Sequence, residues 1–322
     1  MIGKDILKWL LEGDVSIQYQ TFRDLRENER TDLQERIAKE GWGGRYLVLR
    51  RNDGHWGMGF YQPKWTSTHY TLLDLRNLCV SPDIKEIHDT LDIILRKNKD
   101  ADGGINPAKT IPKSDVCING MFLYYACYFR VNEDSLRSIM DFLITEQMTD
   151  GGFNCRSNHS GAVHSSLHTT LSVAEGLWEY RKNGFTYRLE EAKRMEEKAR
   201  EFMLRHRLFR SDKTGKIIRP GFLRLSYPPR WFYDILRALD YFQSAGVSYD
   251  LRMQDAMDVL IKKRRPDNRW PLQAAHPGQV HFQMEKAGGP SRWNTLRALR
   301  VLRHFDGNNT EMSGISDKLK TE

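Results

Sequence analysis

The sequence predicts an all-α fold made of helical hairpins, on three observations. Apolar residues recur at helical spacing through almost every ordered segment, the strict alternation of strands is nearly absent, and one junction pattern repeats between helices. Composition is that of a globular chain: 39% of the 322 residues are hydrophobic and 29% are charged, too apolar for disorder and too charged for a membrane bundle. The longest apolar stretch, Met121 to Phe129, is far shorter than the ~20 residues that cross a bilayer, so a soluble protein is expected.

Start and stop signals order the elements. A first helix covers Lys4 to Leu11, and Asp14 then caps a second with apolar positions at Ile17, Phe22 and Leu25. Thr31 and Gln34 form a capping-box pattern before Leu33 to Ala38, and a short helix follows around Arg45 to Arg51. Further helices are expected at 67–78, 84–97, 114–130, 134–147, 162–182, 189–207, 229–245, 250–264 and 291–305. Taking 31–51 as one outer unit gives six hairpins. Residues 1–305 are expected to form a single domain, with 1–42 as the first hairpin and N-terminal helices and 43–305 as the repeat region. The polar residues 306–322 are expected to form a flexible tail.

The repeat sits at the hairpin junctions. Successive helices end LVLRRNDGHWG at Gly54 and Trp56, IILRKNKDADGGI at Gly103 and Ile105, and FLITEQMTDGGFN at Gly151 and Phe153, so the glycines are 49 and 48 residues apart. A degenerate copy, VLIKKRRPDNRWP, ends at Trp270, and another has room around Arg207 to Gly215. Each copy joins an apolar helix end to an Asp-Gly or Gly-Gly turn that needs positive φ, then to an apolar or aromatic residue that can pack back. Gln147-x3-Gly151-x-Phe153 is the fullest.

At these residues the sequence resembles the terpene cyclase and protein prenyltransferase superfamily, whose repeats carry a Gln-x3-Gly-x-Trp/Phe signature or a related Gly-Gly-Phe turn. The resemblance covers about residues 43–305. It implies an (α/α)6 toroid, with the turns leading from outer helices to inner ones and the N-terminal ends of the inner helices lining the pocket. Those ends mix aromatic, basic and hydroxyl residues: Trp65 and His69; Asp115, Cys117 and Asn119; His164 and His168; Arg230, Trp231 and Asp234; Arg292, Trp293 and Asn294. Capping accounts for Ser114, Ser291 and Thr66, but not for the histidines and arginines, which favours a pocket role.

In protein prenyltransferase β subunits, Asp-x-Cys after one Gly-Gly turn and a His after the next bind zinc. The resemblance therefore implies a zinc site of Asp115, Cys117 and His164, with His168 one helical turn on as an additional ligand, and Lys109 and Lys113 set against a diphosphate. The alternative for the same residues is a buried free cysteine and a helix-capping Asp. The cyclase branch uses Asp-x-Asp-Asp, and this sequence has no Asp-Asp pair, so an acid-driven reaction would fall to Asp115 or Asp234 with a raised pKa. Asp115, His164 and Asp234 are thus the catalytic candidates. The substrate-binding candidates are Trp65, His69, Lys109, Lys113, Asn119, Arg230, Trp231, Arg292, Trp293 and Asn294.

The function expected is a prenyltransferase- or cyclase-like enzyme acting on a hydrophobic, isoprenoid or diphosphate-bearing substrate in the central cavity, with room for a partner subunit. Two other readings stand beside it: a non-catalytic toroid that binds a peptide or protein, and a carbohydrate-active (α/α)6 enzyme using Trp platforms. Nucleic acid is not an expected partner. The excess of 50 Lys and Arg over 42 Asp and Glu gives a formal charge of +8, but cations alternate with Glu, as on a solvated helix face, instead of forming a stripe. Four cysteines without a CxxC pair, and an N-terminus lacking a signal-peptide cleavage site, point to reduced thiols in the cytoplasm. The two long connections, 208–227 and 266–290, are expected to lie over the barrel mouth.

Overall fold

The structure is a computed structural model that describes residues 3–108, 110–156 and 160–307, with side chains to residue 305. Lys109 and the tail beyond residue 307 lie outside the described residues. The described chain is all-α, with thirteen α-helices: α1 Lys4–Leu11, α2 Val15–Arg26, α3 Thr31–Ile37, α4 Gly41–Leu47, α5 Thr68–Asn77, α6 Lys85–Asn98, α7 Val116–Tyr128, α8 Glu133–Thr145, α9 Leu167–Lys182, α10 Leu189–Arg205, α11 Ile235–Ser244, α12 Gln254–Lys262 and α13 Arg292–Gly307. Sheet among the described residues is limited to one antiparallel pair, β1 Trp270–Pro271 and β2 Pro290–Ser291, with Trp270 opposite Ser291. No helix there is long and apolar enough to cross a membrane.

Two kinds of helix alternate. α8 buries Leu136, Ile139, Met140 and Leu143, a stripe at three- and four-residue spacing that leaves its other face to solvent. α7 is buried on all sides, from Val116 and Ile118 through Phe122 to Cys127, as a helix enclosed by neighbours must be. α7 packs on α5 and α9, α9 on α11, α11 on α13, and α13 on α2. The Gln20 amide of α2 donates to the Asn77 carbonyl at the end of α5 (2.9 Å), which links the last two neighbours. α7 and α9 come closest because two glycines face each other: a Cβ on Gly176 would lie 2.5 Å from the Gly120 carbonyl oxygen.

The junction repeat is a physical unit. Gly54, Gly103 and Gly151 have φ of +84°, +88° and +93°, and Trp56, Ile105 and Phe153 beyond them are fully buried. In each copy the N–H of that buried residue donates to a polar side chain on the following helix: Trp56 to Thr68 (3.0 Å), Ile105 to Asn119 (2.7 Å) and Phe153 to Thr170 (2.9 Å). The degenerate copy does the same, Trp270 N–H to Thr295 at 2.9 Å. The indoles of Trp56 and Trp270 also donate back to carbonyls of the preceding helices, at Tyr46 (2.6 Å) and Leu260 (2.7 Å). Gln147 ties its turn to α10, its amide donating to Gly151 O (3.0 Å) and Met195 O (3.2 Å).

Several helix starts differ from the sequence expectation, and α9 begins at Leu167, five residues after the expected 162. Thr31 does not cap α3, where Arg30 precedes the first turn and pairs with Asp32 at 2.7 Å. The short helix expected at 45–51 occupies Gly41–Leu47, and the bonds from Leu49 N to Tyr46 O and Arg50 N to Leu47 O close it. α11 begins at Ile235, six residues late, because the carboxylate of Asp234 caps it by accepting from Arg237 N–H (2.9 Å), while Arg230 holds φ of +57°.

Candidate functional site

The six buried helices α2, α5, α7, α9, α11 and α13 all contribute to one cavity of about 320 Å³. Its lining comes from the C-terminal halves of α2, α5, α7 and α9, through Arg23, Arg76, Tyr124 and Trp178 among others, and from along α11 and α13. This differs from the expectation that helix N-termini would line the pocket. The N-terminal ends are filled instead. His276, on the 266–290 connection, stacks on Phe232 with ring centroids 3.9 Å apart, Phe232 stacks on Trp231 at 4.0 Å, and the Trp65 indole donates to the Pro277 carbonyl at 2.6 Å. His281 and Phe282 of the same connection pack on Tyr46, so this loop closes that end.

Of the residues singled out from sequence, Arg230 and Trp293 reach the cavity. Trp231 belongs to the aromatic plug and lies near the Lys64 ammonium, 5.1 Å from its ring centroid. His69 is fully buried beside Tyr125, whose hydroxyl is 3.1 Å from Nδ1, and burial followed by the charge of Lys64 lowers its pKa to about 3. Asn119 is occupied in holding the second turn, and the Asn294 amide donates to Pro271 O (3.0 Å). Arg292 donates to Trp9 O at 2.9 Å and lies over that ring. Asp234 is a buried helix cap whose carboxyl is pushed up by burial. Lys113 is exposed.

Asp115 precedes α7, Cys117 has Cys155 as its neighbour, and His164 is exposed, with its carbonyl accepting from Asn154 at 2.7 Å. His168 Nδ1 already accepts the Tyr233 N–H (2.8 Å), and burial, Arg219 and Arg237 lower its pKa to about 4. Among the described residues no three His, Cys, Asp or Glu side chains group so as to hold a metal ion.

The cavity is dominated by charge and aromatic rings. Seven cations line it, Arg23, Arg76, Lys182, Arg230, Arg237, Arg297 and Arg300, against three carboxylates, Asp24, Glu175 and Asp240. Glu179 and Asp74 stand just behind as partners of Arg76 and Arg230. Two positive charges remain over when these five carboxylates are set against the seven cations. Arg237 holds Glu175 (3.0 Å), Arg297 holds Asp240 (3.0 Å), and Arg300 bridges Asp240 (2.6 Å) and Asp24 (2.9 Å), which Arg23 also contacts (2.6 Å). Burial opposes ionisation of Asp240 and Asp24, but the guanidinium groups outweigh it and hold both carboxyls below their usual range. Tyr124, Tyr128, Trp178, Tyr227 and Tyr241 supply the aromatic wall.

Several buried polar atoms on this wall have no hydrogen-bond partner among the described residues: Arg297 Nη1, Arg76 Nε and Trp293 Nε1, all donors, and one acceptor, Gln243 Oε1. Arg297 is 4% exposed and Trp293 1%, so solvent does not satisfy them freely, and each such group costs about 1–3 kcal/mol without a ligand. The sequence carried a signal for these residues. Charges recur at three- and four-residue spacing on three helices that line the cavity: Glu175 with Glu179, Arg237 with Asp240, and Arg297 with Arg300. Comparison with known protein families gives no matching model, and comparison with curated proteins gives no match.

Proposed function

We propose that the chain is an (α/α)6 toroid whose central cavity binds a small organic anion, and that it acts there as a prenyltransferase- or cyclase-like enzyme on a diphosphate-bearing substrate. The observation that carries this is the excess of cations around the cavity, with unpartnered donors on Arg297, Arg76 and Trp293 and a wall of aromatic rings. Guanidinium groups match phosphate oxygens in charge and geometry. As a carbon–oxygen bond to diphosphate ionises, negative charge grows on the leaving group and positive charge on carbon; the arginines would stabilise the first and the faces of Tyr and Trp the second. A cyclisation begun by a carboxylic acid has less support, because Asp24 and Asp240 at the cavity are held as carboxylates by arginine, and Asp234, whose carboxyl burial pushes up, caps α11 outside the cavity lining.

A second reading draws on Gln20, Asn77, Gln243 and Ser244, whose amides and hydroxyl would suit the hydroxyl groups of an acidic sugar. Calorimetric titration separates the two. Geranyl diphosphate should bind about tenfold more tightly than inorganic pyrophosphate, and Arg297→Met should weaken it by a further tenfold or so. Binding of a uronic acid in place of both diphosphates would transfer the cavity to the sugar reading, and no binding of any of them would remove the anion site.

A further inference from the structure

A separate chemical feature lies away from the cavity, at the start of α7. Cys117 is the second residue of that helix, so its N–H has no partner within the helix. It donates to the sulfur of Cys155 at 3.0 Å, and the Thr169 hydroxyl approaches the same sulfur at 3.6 Å. The two thiols are near enough to shift each other's ionisation, Cys155 raising the pKa of Cys117 and Cys117 lowering that of Cys155. With the sulfur this near the Cys117 nitrogen, standard bond lengths limit the Cα separation to about 7 Å or less, which reaches the span that a disulfide bridges. Both cysteines are half-buried, whereas Cys79 and Cys127 are buried.

We propose that Cys117 and Cys155 are a redox pair that closes into a reversible disulfide. The junction repeat itself brings them together: Cys155 follows the Gly151 turn, and Cys117 opens the helix after the Gly103 turn. A low-molecular-weight disulfide such as oxidised glutathione is the oxidant. The Cys155 thiolate, favoured by the helix N-terminus, attacks one of its sulfurs, the glutathione disulfide breaks, and one glutathione thiolate leaves. The Cys117 thiol then gives up its proton and attacks the Cys155 sulfur, expelling the second glutathione. Two protein thiols are oxidised and one disulfide is reduced to two thiols. The bond would staple the segment after the third turn to α7, beside Lys64, whose charge interacts with Cys117.

The test is equilibration of the full chain over a range of oxidised-to-reduced glutathione ratios, followed by acid quench, alkylation and peptide mass spectrometry. The expected result is loss of two alkylatable thiols together, a Cys117–Cys155 cross-linked peptide, continued alkylation of Cys79 and Cys127 after unfolding, and full reversal by dithiothreitol. In Cys117→Ser, Cys155 should accumulate as the glutathione adduct; in Cys155→Ser, Cys117 should remain a free thiol. A stable glutathione adduct on Cys155 in the wild-type chain, or two free thiols at the most oxidising ratio, would overturn the proposal. Circular dichroism of both variants, expected to match the wild type, keeps an unfolded variant from counting as support.

Discussion

Asn119 illustrates how polar residues at the helix starts are used. Its carbonyl oxygen accepts the Ile105 N–H and its amide donates to the Ile105 and Asp115 carbonyls, so the side chain completes a turn and has little left for a ligand. His168 follows a similar logic, with Nδ1 committed to the Tyr233 N–H. Its consequence is a pH dependence. Burial holds His69 at about 3 and His168 at about 4 in the folded chain, whereas an unfolded histidine takes its proton near 6.5. The unfolded state therefore binds more protons between these values. Stability should be complete above about pH 6.5 and fall as pH drops toward 4, by up to about 1.4 kcal/mol per unit for each such histidine. Urea titrations across that window check this, and His168→Gln, which retains an acceptor for Tyr233, should show a shallower slope.

At the scale of elements, the molecule depends on two kinds of contact that hydrophobic periodicity does not specify. One is the bond from each turn to the next helix, made by Thr68, Asn119, Thr170 and Thr295. The other is the close approach of α7 and α9, where a Cβ on Gly176 would meet main-chain atoms of Gly120 that have no flexible end to move. Gly176→Ala should destabilise the chain by about 3 kcal/mol, since the two helices must separate along their length. A lowered urea midpoint with an unchanged m-value would show it; a midpoint within error of wild type would mean that the helices do not pack this closely. The helices themselves were legible because their apolar spacing is local. The start of α11 was not, because Pro229 and the aromatic run after it resemble a first turn, and only the Asp234 cap decides where the helix begins.

At the scale of the whole molecule, the charged network joins the second helix to the last. Arg300 of α13 bridges Asp240 on α11 and Asp24 on α2, so one side chain spans elements from both ends of the sequence. Arg300→Met should cost about 3 kcal/mol, because two buried carboxylates lose a shared cation and Arg297 and Arg23 make up only part of it. Equilibrium denaturation measures this, and a loss below about 1 kcal/mol would assign closure of the molecule to the apolar contacts of α2 and α13 instead.

The sequence by itself determined the all-α class, nearly every helix and the positions of the repeated turns, because helical spacing and positive-φ glycines are properties of neighbouring residues. The burial of Trp56, Phe153 and Trp270 followed from the same pattern. The tertiary structure decided the site. Polar residues at the helix starts look alike in sequence whether they bind a ligand or a turn, and only folding shows that Thr68, Asn119 and Thr170 bind turns while Trp65, Trp231 and Phe232 join the plug with His276. Arg23, Arg76, Arg237, Arg297 and Arg300 are scattered over 278 positions of chain and become one cavity wall through long-range packing. The meeting of Cys117 with Cys155 across 38 positions has the same origin.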